Sequence, residues 1–314
     1  MQSIPSSPVE RFNNPAVVTQ SWYMAAPARD LGRGQARSYA LLGRRIALYR
    51  ARDGKVHAVD ARCAHLGADL GMGQVVGNEL QCPFHHWRYG PDGACRHAPG
   101  LARAPGRRLR AYPTLERWGL IWIFNGPRPG FDLPDAPPAE RCWHLRLRSR
   151  HVACHPHLVI ANGLDATHFE TLHDMQLTAP PRLSTPAPGH VTLHIQGKPR
   201  SPWLQRLTGT RDRDIRSSFT TIGGNLAWTT VESPLRFHIL FSGRPSPQGG
   251  CQTQVVFLIP GGTGLRCVRA LSLMYALLHD DVGILERLDF SPGFIASDAG
   301  LAAFVQAVDA MDVY

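Results

Sequence analysis

Short strand-length runs separated by turn residues fill the first third of the chain. Arg45–Arg50 (Arg-Ile-Ala-Leu-Tyr-Arg) is followed by the turn pair Asp53-Gly54 and then Val56–Val59, which predicts a β-hairpin. Gly119–Phe124 (Gly-Leu-Ile-Trp-Ile-Phe) reads as a buried strand, and the proline-rich stretch Pro127–Pro138 reads as a linker. Beyond it the pattern changes. Leu158 to Asp174 carries Leu158, Ile160, Leu164, Phe169 and Leu172 on a broad helical face. Strand-like runs return at Val191–Ile195, Ser217–Thr221, Leu226–Val231, Phe237–Phe241, Gln252–Ile259 and Cys267–Leu273. The end predicts a helix from Asp298 to Met311 with Ser297 as its N-cap. The expected class is α+β: an all-β amino-terminal domain over 20–128, then an antiparallel sheet with packed helices over 129–314.

Composition narrows the functional classes. With 314 residues the chain has room for two domains, and 43% apolar with 18% charged residues is ordinary for a water-soluble globular protein. Met1–Val18 is polar and lacks the basic-then-apolar profile of a secretory leader. No apolar run approaches the roughly 18–20 residues that cross a bilayer. The expectation is a cytoplasmic protein with no membrane partner. The formal net charge is +10, carried almost wholly by arginine, since Lys55 and Lys198 are the only lysines. These charges are dispersed apart from Arg103–Arg110, a loop containing Pro105 and Gly106, and no nucleic-acid motif accompanies them. Seven cysteines, an odd number, argue against a disulfide framework and for metal ligation or buried thiols.

Two constellations carry chemistry. The first is Cys63-Ala64-His65 and, sixteen residues on, Cys82-Pro83-Phe84-His85, each in a glycine- or proline-bearing loop. Two thiolates and two imidazoles suit zinc, or a [2Fe-2S] cluster with Cys on one iron and His on the other. Zinc sites usually pair Cys with Cys and His with His along the chain. Here each loop supplies one of each, which favours the cluster. The second is Asn162-Gly-Leu-Asp165-Ala-Thr-His168-Phe-Glu-Thr-Leu-His173. Asn162, Asp165 and His168 step by three and share a helix face. His168 and His173 step by five, about 140° apart on an ideal helix, so the helix must break, bulge or bend for both to meet one metal. Two imidazoles with one carboxylate on one face of Fe(II) leave positions open for O2 and substrate. His151, His155 and His157 lack matching partners and read as strand-end residues. Cys95, Cys142, Cys154, Cys251 and Cys267 read as plain thiols.

Cys63-Ala-His-Leu-Gly-Ala-Asp-Leu-Gly-Met-Gly73 and Cys82-Pro-Phe-His-His-Trp-Arg-Tyr89 resemble the Rieske domain of ring-hydroxylating oxygenases, and the Asn162–His173 string resembles the catalytic motif of Rieske oxygenase alpha subunits. Leu66 departs from a frequent Arg, and His86 from a frequent Gly. The resemblance implies a helix-grip catalytic domain, an antiparallel sheet curved around a long helix. It implies a Rieske [2Fe-2S] cluster on Cys63, Cys82, His65 and His85, and a mononuclear Fe(II) on His168, His173 and an acid near the start of a carboxy-terminal helix. Asp298 is the expected third ligand, with Asp289 and Asp309 as fallbacks; many relatives carry two adjacent acids at that place. Asp165 is expected to hydrogen-bond His168 and a cluster-ligating His of a neighbouring subunit, with Asn162 a polar neighbour of the iron. A homotrimer, a ferredoxin or NAD(P)H-dependent reductase, O2 as co-substrate and an apolar small molecule complete the implied system. Monooxygenation, dealkylation, desaturation or ring closure is preferred to arene cis-dihydroxylation. A Rieske electron carrier or binding protein without oxygenase activity is the non-enzyme alternative.

Overall fold

The structure is a computed structural model and describes residues 10–134, 142–211, 213–278, 281–291 and 293–314. The amino-terminal part contains three small antiparallel sheets. Ala36–Leu41, Arg44–Arg50, Val56–Asp60 and Ala111–Tyr112 form one, in that order, and Arg50 pairs with Val56 across the predicted hairpin. Gln74–Val76, Glu79–Gln81, Arg88–Tyr89 and Cys95–His97 form a second. In the third, Leu120–Phe124 lies between Trp22–Pro27 and Thr114–Arg117, and all five of its residues are buried.

That third sheet joins the two parts of the chain. Trp22, Met24, Trp122 and Phe124 share a core with Ile222, Leu226, Leu240 and Leu258 of the large sheet. The stretch read as a linker is also engaged: Leu133 is buried in this core, and the Trp22 indole donates to the Phe131 carbonyl. Residues 135–138 of that stretch lie outside the described residues.

The carboxy-terminal part is built on a nine-stranded antiparallel sheet. Its main path runs Cys142–Arg146, Cys251–Pro260, Phe237–Pro245, Leu226–Ser233, Ile215–Ile222, Thr192–Pro199, Met175–Leu177. Helices α1 (Pro156–Ala161), α2 (Ala166–Thr171), α3 (Pro202–Thr208), α4 (Gly264–Leu278), α5 (Asp281–Leu285) and α6 (Ala299–Asp309) accompany it. The class is α+β, and the sheet with α4 and α6 packed on it is consistent with the helix-grip expectation. Among the described residues no helix is long and apolar enough to cross a membrane.

Three expectations change. Cys267–Leu273, read as a strand, lies within α4. Ala270, Leu273 and Met274 are buried at helical spacing while Leu265, Val268 and Tyr275 are exposed, a 3.6-residue stripe within a mostly apolar run. The helix expected from Leu158 to Asp174 is two short helices with a 3-10 turn, Asn162–Leu164, between them. Ser297 does not cap the last helix. A 3-10 turn, Ala296–Asp298, precedes α6, and the Asp298 carboxylate accepts from the Ile295 N–H at 2.9 Å.

Candidate functional site

The two Cys/His loops are built alike. The Cys63 N–H donates to the Ala68 carbonyl and the Cys82 N–H to the Trp87 carbonyl, so each loop closes five residues after its cysteine. Each also needs a left-handed residue one position before that closure: Gly67 at φ +83° and His86 at φ +56°. Glycine adopts this backbone without strain, whereas at position 86 a histidine adopts it.

The loops bring together Cys63, Cys82, His65 and His85. Both thiols are buried and both imidazoles are exposed, with ring centroids 4.6 Å apart. Trp87 stacks on His65 at 4.5 Å. The Tyr89 hydroxyl lies 3.1 Å from the Cys63 sulfur and accepts from the Ala64 N–H. Burial and the neighbouring Cys63 raise Tyr89 well above the ordinary tyrosine range, so it remains a phenol able to donate to that sulfur. An inner pair of sulfurs and an outer pair of imidazoles fits a cluster with one iron facing the protein and the other facing its surface.

The second site forms where the helix breaks. Asp165 is extended (φ −91°, ψ 104°), and its carboxylate accepts from the N–H groups of Thr167 and His168, capping α2. Its main-chain carbonyl lies 2.6 Å from His168 Nδ1. A carbonyl can only accept, so the proton is on Nδ1 and Nε2 presents a bare lone pair. The resemblance had placed the Asp165 carboxylate on His168; in the structure the carbonyl takes that role. After α2 the His168 carbonyl accepts from both Leu172 and His173, a five-residue closure that swings His173 round, and Asp174 follows at φ +49°.

The carboxylate facing the histidines is Asp281, not Asp298. His168 Nε2 and His173 Nε2 are 3.1 Å apart, and Asp281 Oδ1 lies 3.1 Å from His173 Nε2 and 3.8 Å from His168 Nε2. Despite its closeness, Asp281 Oδ1 is buried without a hydrogen bond. Ligand atoms about 2.1 Å from an ion and at right angles are about 3.0 Å apart, so the three lone-pair donors fit one metal ion. Burial is the main influence on His168 and lowers its pKa, which keeps the imidazole neutral, as a metal ligand must be. His173 Nδ1 is buried without a partner, and the ring is held among Phe169 and the cavity wall.

Packing explains why Asp281 arrives. It opens α5, and Leu285 at the other end is buried among Val152, Cys154 and Leu158, which fixes α5 against α1. Asp298 is tied into its own turn and is outside the cation-holding group found among the described residues. The sequence held a usable signal: Asp280-Asp281 is a pair of adjacent acids, whereas Asp298 stands alone between Ser297 and Ala299.

A cavity opens beside the triad. Asn162, Gly163 and Val159 approach from the helices, and alternate residues of four strands form the opposite wall. That wall is almost wholly apolar. His155 and His157 lie elsewhere: His155 caps α1, and His157 is buried against Phe12.

Comparison with known proteins bears on the Cys/His loops and on the fold. Residues 21–113 match the model of the Rieske [2Fe-2S] domain. Cholesterol 7-desaturase nvd of Bombyx mori is 33% identical over 168 residues, covering 52% of this chain and 37% of that protein. The oxygenase component of 3-ketosteroid-9-alpha-monooxygenase from Mycolicibacterium smegmatis is 28% identical over 215 residues, 64% of this chain and 55% of that protein. The chain therefore spans about a third to a half of these relatives' own lengths. Dicamba monooxygenase bound to dicamba shares the fold, with TM-score 0.67 at 21% identity over 93% of this chain and 97% of that one. Residues 21–113 are thus a Rieske [2Fe-2S] domain, joined, in a chain that shares the fold of dicamba monooxygenase, to a sheet-and-helix part that presents two histidines and a carboxylate over an apolar cavity.

Proposed function

We propose that this protein is the oxygenase component of a multi-component system that uses O2 and two electrons to hydroxylate, dealkylate, desaturate or cyclise a largely apolar small molecule. The observation that carries this reading is the convergence of His168, His173 and Asp281 on one point beside an apolar cavity. Cys63 and Cys82 would hold one iron of the cluster and His65 and His85 the other. His168, His173 and Asp281 would hold Fe(II), which when bound supplies the redox chemistry that activates O2.

The chain's own residues do the rest. The Asp165 carbonyl fixes the His168 tautomer. The apolar wall excludes water and orients the substrate. Asn162 offers a polar group at the cavity edge.

Electrons would leave the cluster through the exposed imidazoles His65 and His85. Leu66 and Phe84 beside them are 67% and 62% exposed, which supports a protein partner over this face. We assign that face to a neighbouring copy in a homotrimer, with Asp165 bridging to its cluster histidine. A ferredoxin or NAD(P)H-dependent reductase would reduce the cluster, helped by the net charge of +10 if that partner is acidic. The division near 128/129 and a cytoplasmic setting belong to the same proposal.

The test is metal analysis, together with oxygen uptake and product mass across a panel of apolar compounds with a surrogate ferredoxin and reductase. Three irons per chain and substrate-dependent uptake are expected. Two irons per chain without uptake would leave only an electron carrier. Two added oxygen atoms on vicinal carbons would shift the outcome to dihydroxylation. Asp165→Ala should keep the cluster spectrum and abolish turnover. Asp165→Asn retains a helix-capping oxygen, so loss there too would separate the bridging role from the cap.

A further inference from the structure

The large sheet contributes its alternate residues to the cavity, and the polar ones among them are few. Leu193, Phe219, Thr229 and Ile239 lie side by side across four adjacent strands. Ser217 lies diagonally from Thr229, because Ser217 pairs with Val231. All of these line the cavity. Charged or titratable groups in the lining are confined to His168, His173 and Asp281, and among the described residues no arginine or lysine reaches it. Away from the metal position, a carboxylate or phosphate on the substrate would thus be buried with no side-chain cation to pair it, at large cost.

Thr229 stands out. Its Oγ1 is buried and has no hydrogen-bond partner. A hydroxyl enclosed among Phe219, Ile239 and Val231 gains nothing from an apolar neighbour, and buried polar groups without partners are uncommon. Rotation about χ1 exchanges its hydroxyl and methyl groups toward the cavity, and more than one rotamer is open to a strand residue.

We infer that the substrate is an uncharged, mainly apolar molecule with one hydrogen-bonding oxygen or nitrogen, and that Thr229, assisted by Ser217, receives this group and so selects and orients the substrate. The inference takes the cavity as the substrate site of the proposed oxygenase and rests on that reading.

The test compares matched probes at two sizes: cyclohexanone, cyclohexane and cyclohexanecarboxylate, then 2-tetralone, tetralin and 1,2,3,4-tetrahydro-2-naphthoate. Affinity for the iron-loaded protein is measured by headspace partition or calorimetry. In at least one set the ketone should bind about 3- to 10-fold more tightly than the hydrocarbon, as one hydrogen bond permits, and the carboxylate should bind weakest. Thr229→Val keeps shape and strand preference but removes the hydroxyl. It should erase the ketone preference and leave hydrocarbon affinity unchanged, while Thr229→Ser restores the preference. A ketone preference that survives in Thr229→Val, a carboxylate that binds tightest, or no binding in either set overturns the inference. Thr229-dependent ketone binding without substrate-dependent oxygen uptake would sustain it and remove the oxygenase reading. Oxygen uptake without a Thr229-dependent preference would do the reverse.

Discussion

The two sites are assembled in opposite ways. At the Cys/His site all four side chains come from two loops within 23 residues of sequence, Cys63 to His85, each closed by its own hydrogen bond and each with a left-handed residue in the same place. At the His/Asp site two ligands are local, but the carboxylate comes from Asp281, more than a hundred residues after His173, and α5 is held there by core packing. A locally closed loop carries its geometry with it. A ligand brought in by packing depends on every contact behind it. The first site should therefore tolerate damage to the large sheet, and the second should not.

The sharpest way to break this contrast is to remove the distant carboxylate. Asp281→Ala should lower iron from three to two per chain and reduce oxygen uptake at least about 100-fold, with the visible spectrum of the cluster unchanged. Asp298→Ala should keep all three irons. A full iron complement in Asp281→Ala would mean that another acid serves.

Overpacking behind the histidines comes next. A Cβ at Gly163 would lie 2.2 Å from Cε2 of Phe219, so Gly163→Ala must displace that ring from its place in the cavity wall. The expected loss is about 1–3 kcal/mol of stability, read from the urea midpoint by far-UV circular dichroism. Cluster absorbance in buffer should not change; bleaching there would show that the two sites are not independent.

Acid should find the same asymmetry. Burial lowers His155 to about 4, and Nε2 is without a partner. The folded pKa lies below the unfolded value of about 6.5, so the stability linked to His155 is whole above that value and is lost as pH falls toward 4. Between pH 7 and pH 5 this amounts to about 2 kcal/mol. Denaturant midpoints at the two pH values should differ accordingly, and less so in His155→Asn.

The smallest effect belongs to the local site. Tyr89→Phe removes the hydroxyl 3.1 Å from the Cys63 sulfur. A hydrogen bond to a ligand sulfur stabilises the reduced cluster, so the potential should fall by on the order of tens of millivolts. An unchanged potential in redox titration would remove Tyr89 from the electronics of the cluster.

Much of this was legible along the chain. Cys63, His65, Cys82 and His85, and Asn162, Asp165, His168 and His173, sit in two strings whose spacing groups them, and the structure brings each group together. The hairpin at 45–59 and five of the six later strand runs appear where turn residues and apolar patterning put them. The sixth, Cys267–Leu273, failed because a densely apolar run fits a buried strand and a buried helix equally well. Asp298 was expected, with Asp289 and Asp309 as fallbacks, because the resemblance puts the third ligand near the start of a carboxy-terminal helix; Asp281 was not considered, and only packing decides which acid faces the histidines.

From the sequence alone came the local chemistry: which residue types could ligate metal, at what spacing, and in which loops. These follow from short-range backbone constraints, such as the distortion that the five-residue step from His168 to His173 demands. The tertiary structure decided the long-range choices: Asp281 as the facing carboxylate, the Asp165 carbonyl as the partner of His168, and Thr229 as an unpaired hydroxyl in an apolar wall. Each of these depends on which elements share a core, and burial against distant neighbours is a property of the whole fold rather than of any window along the chain.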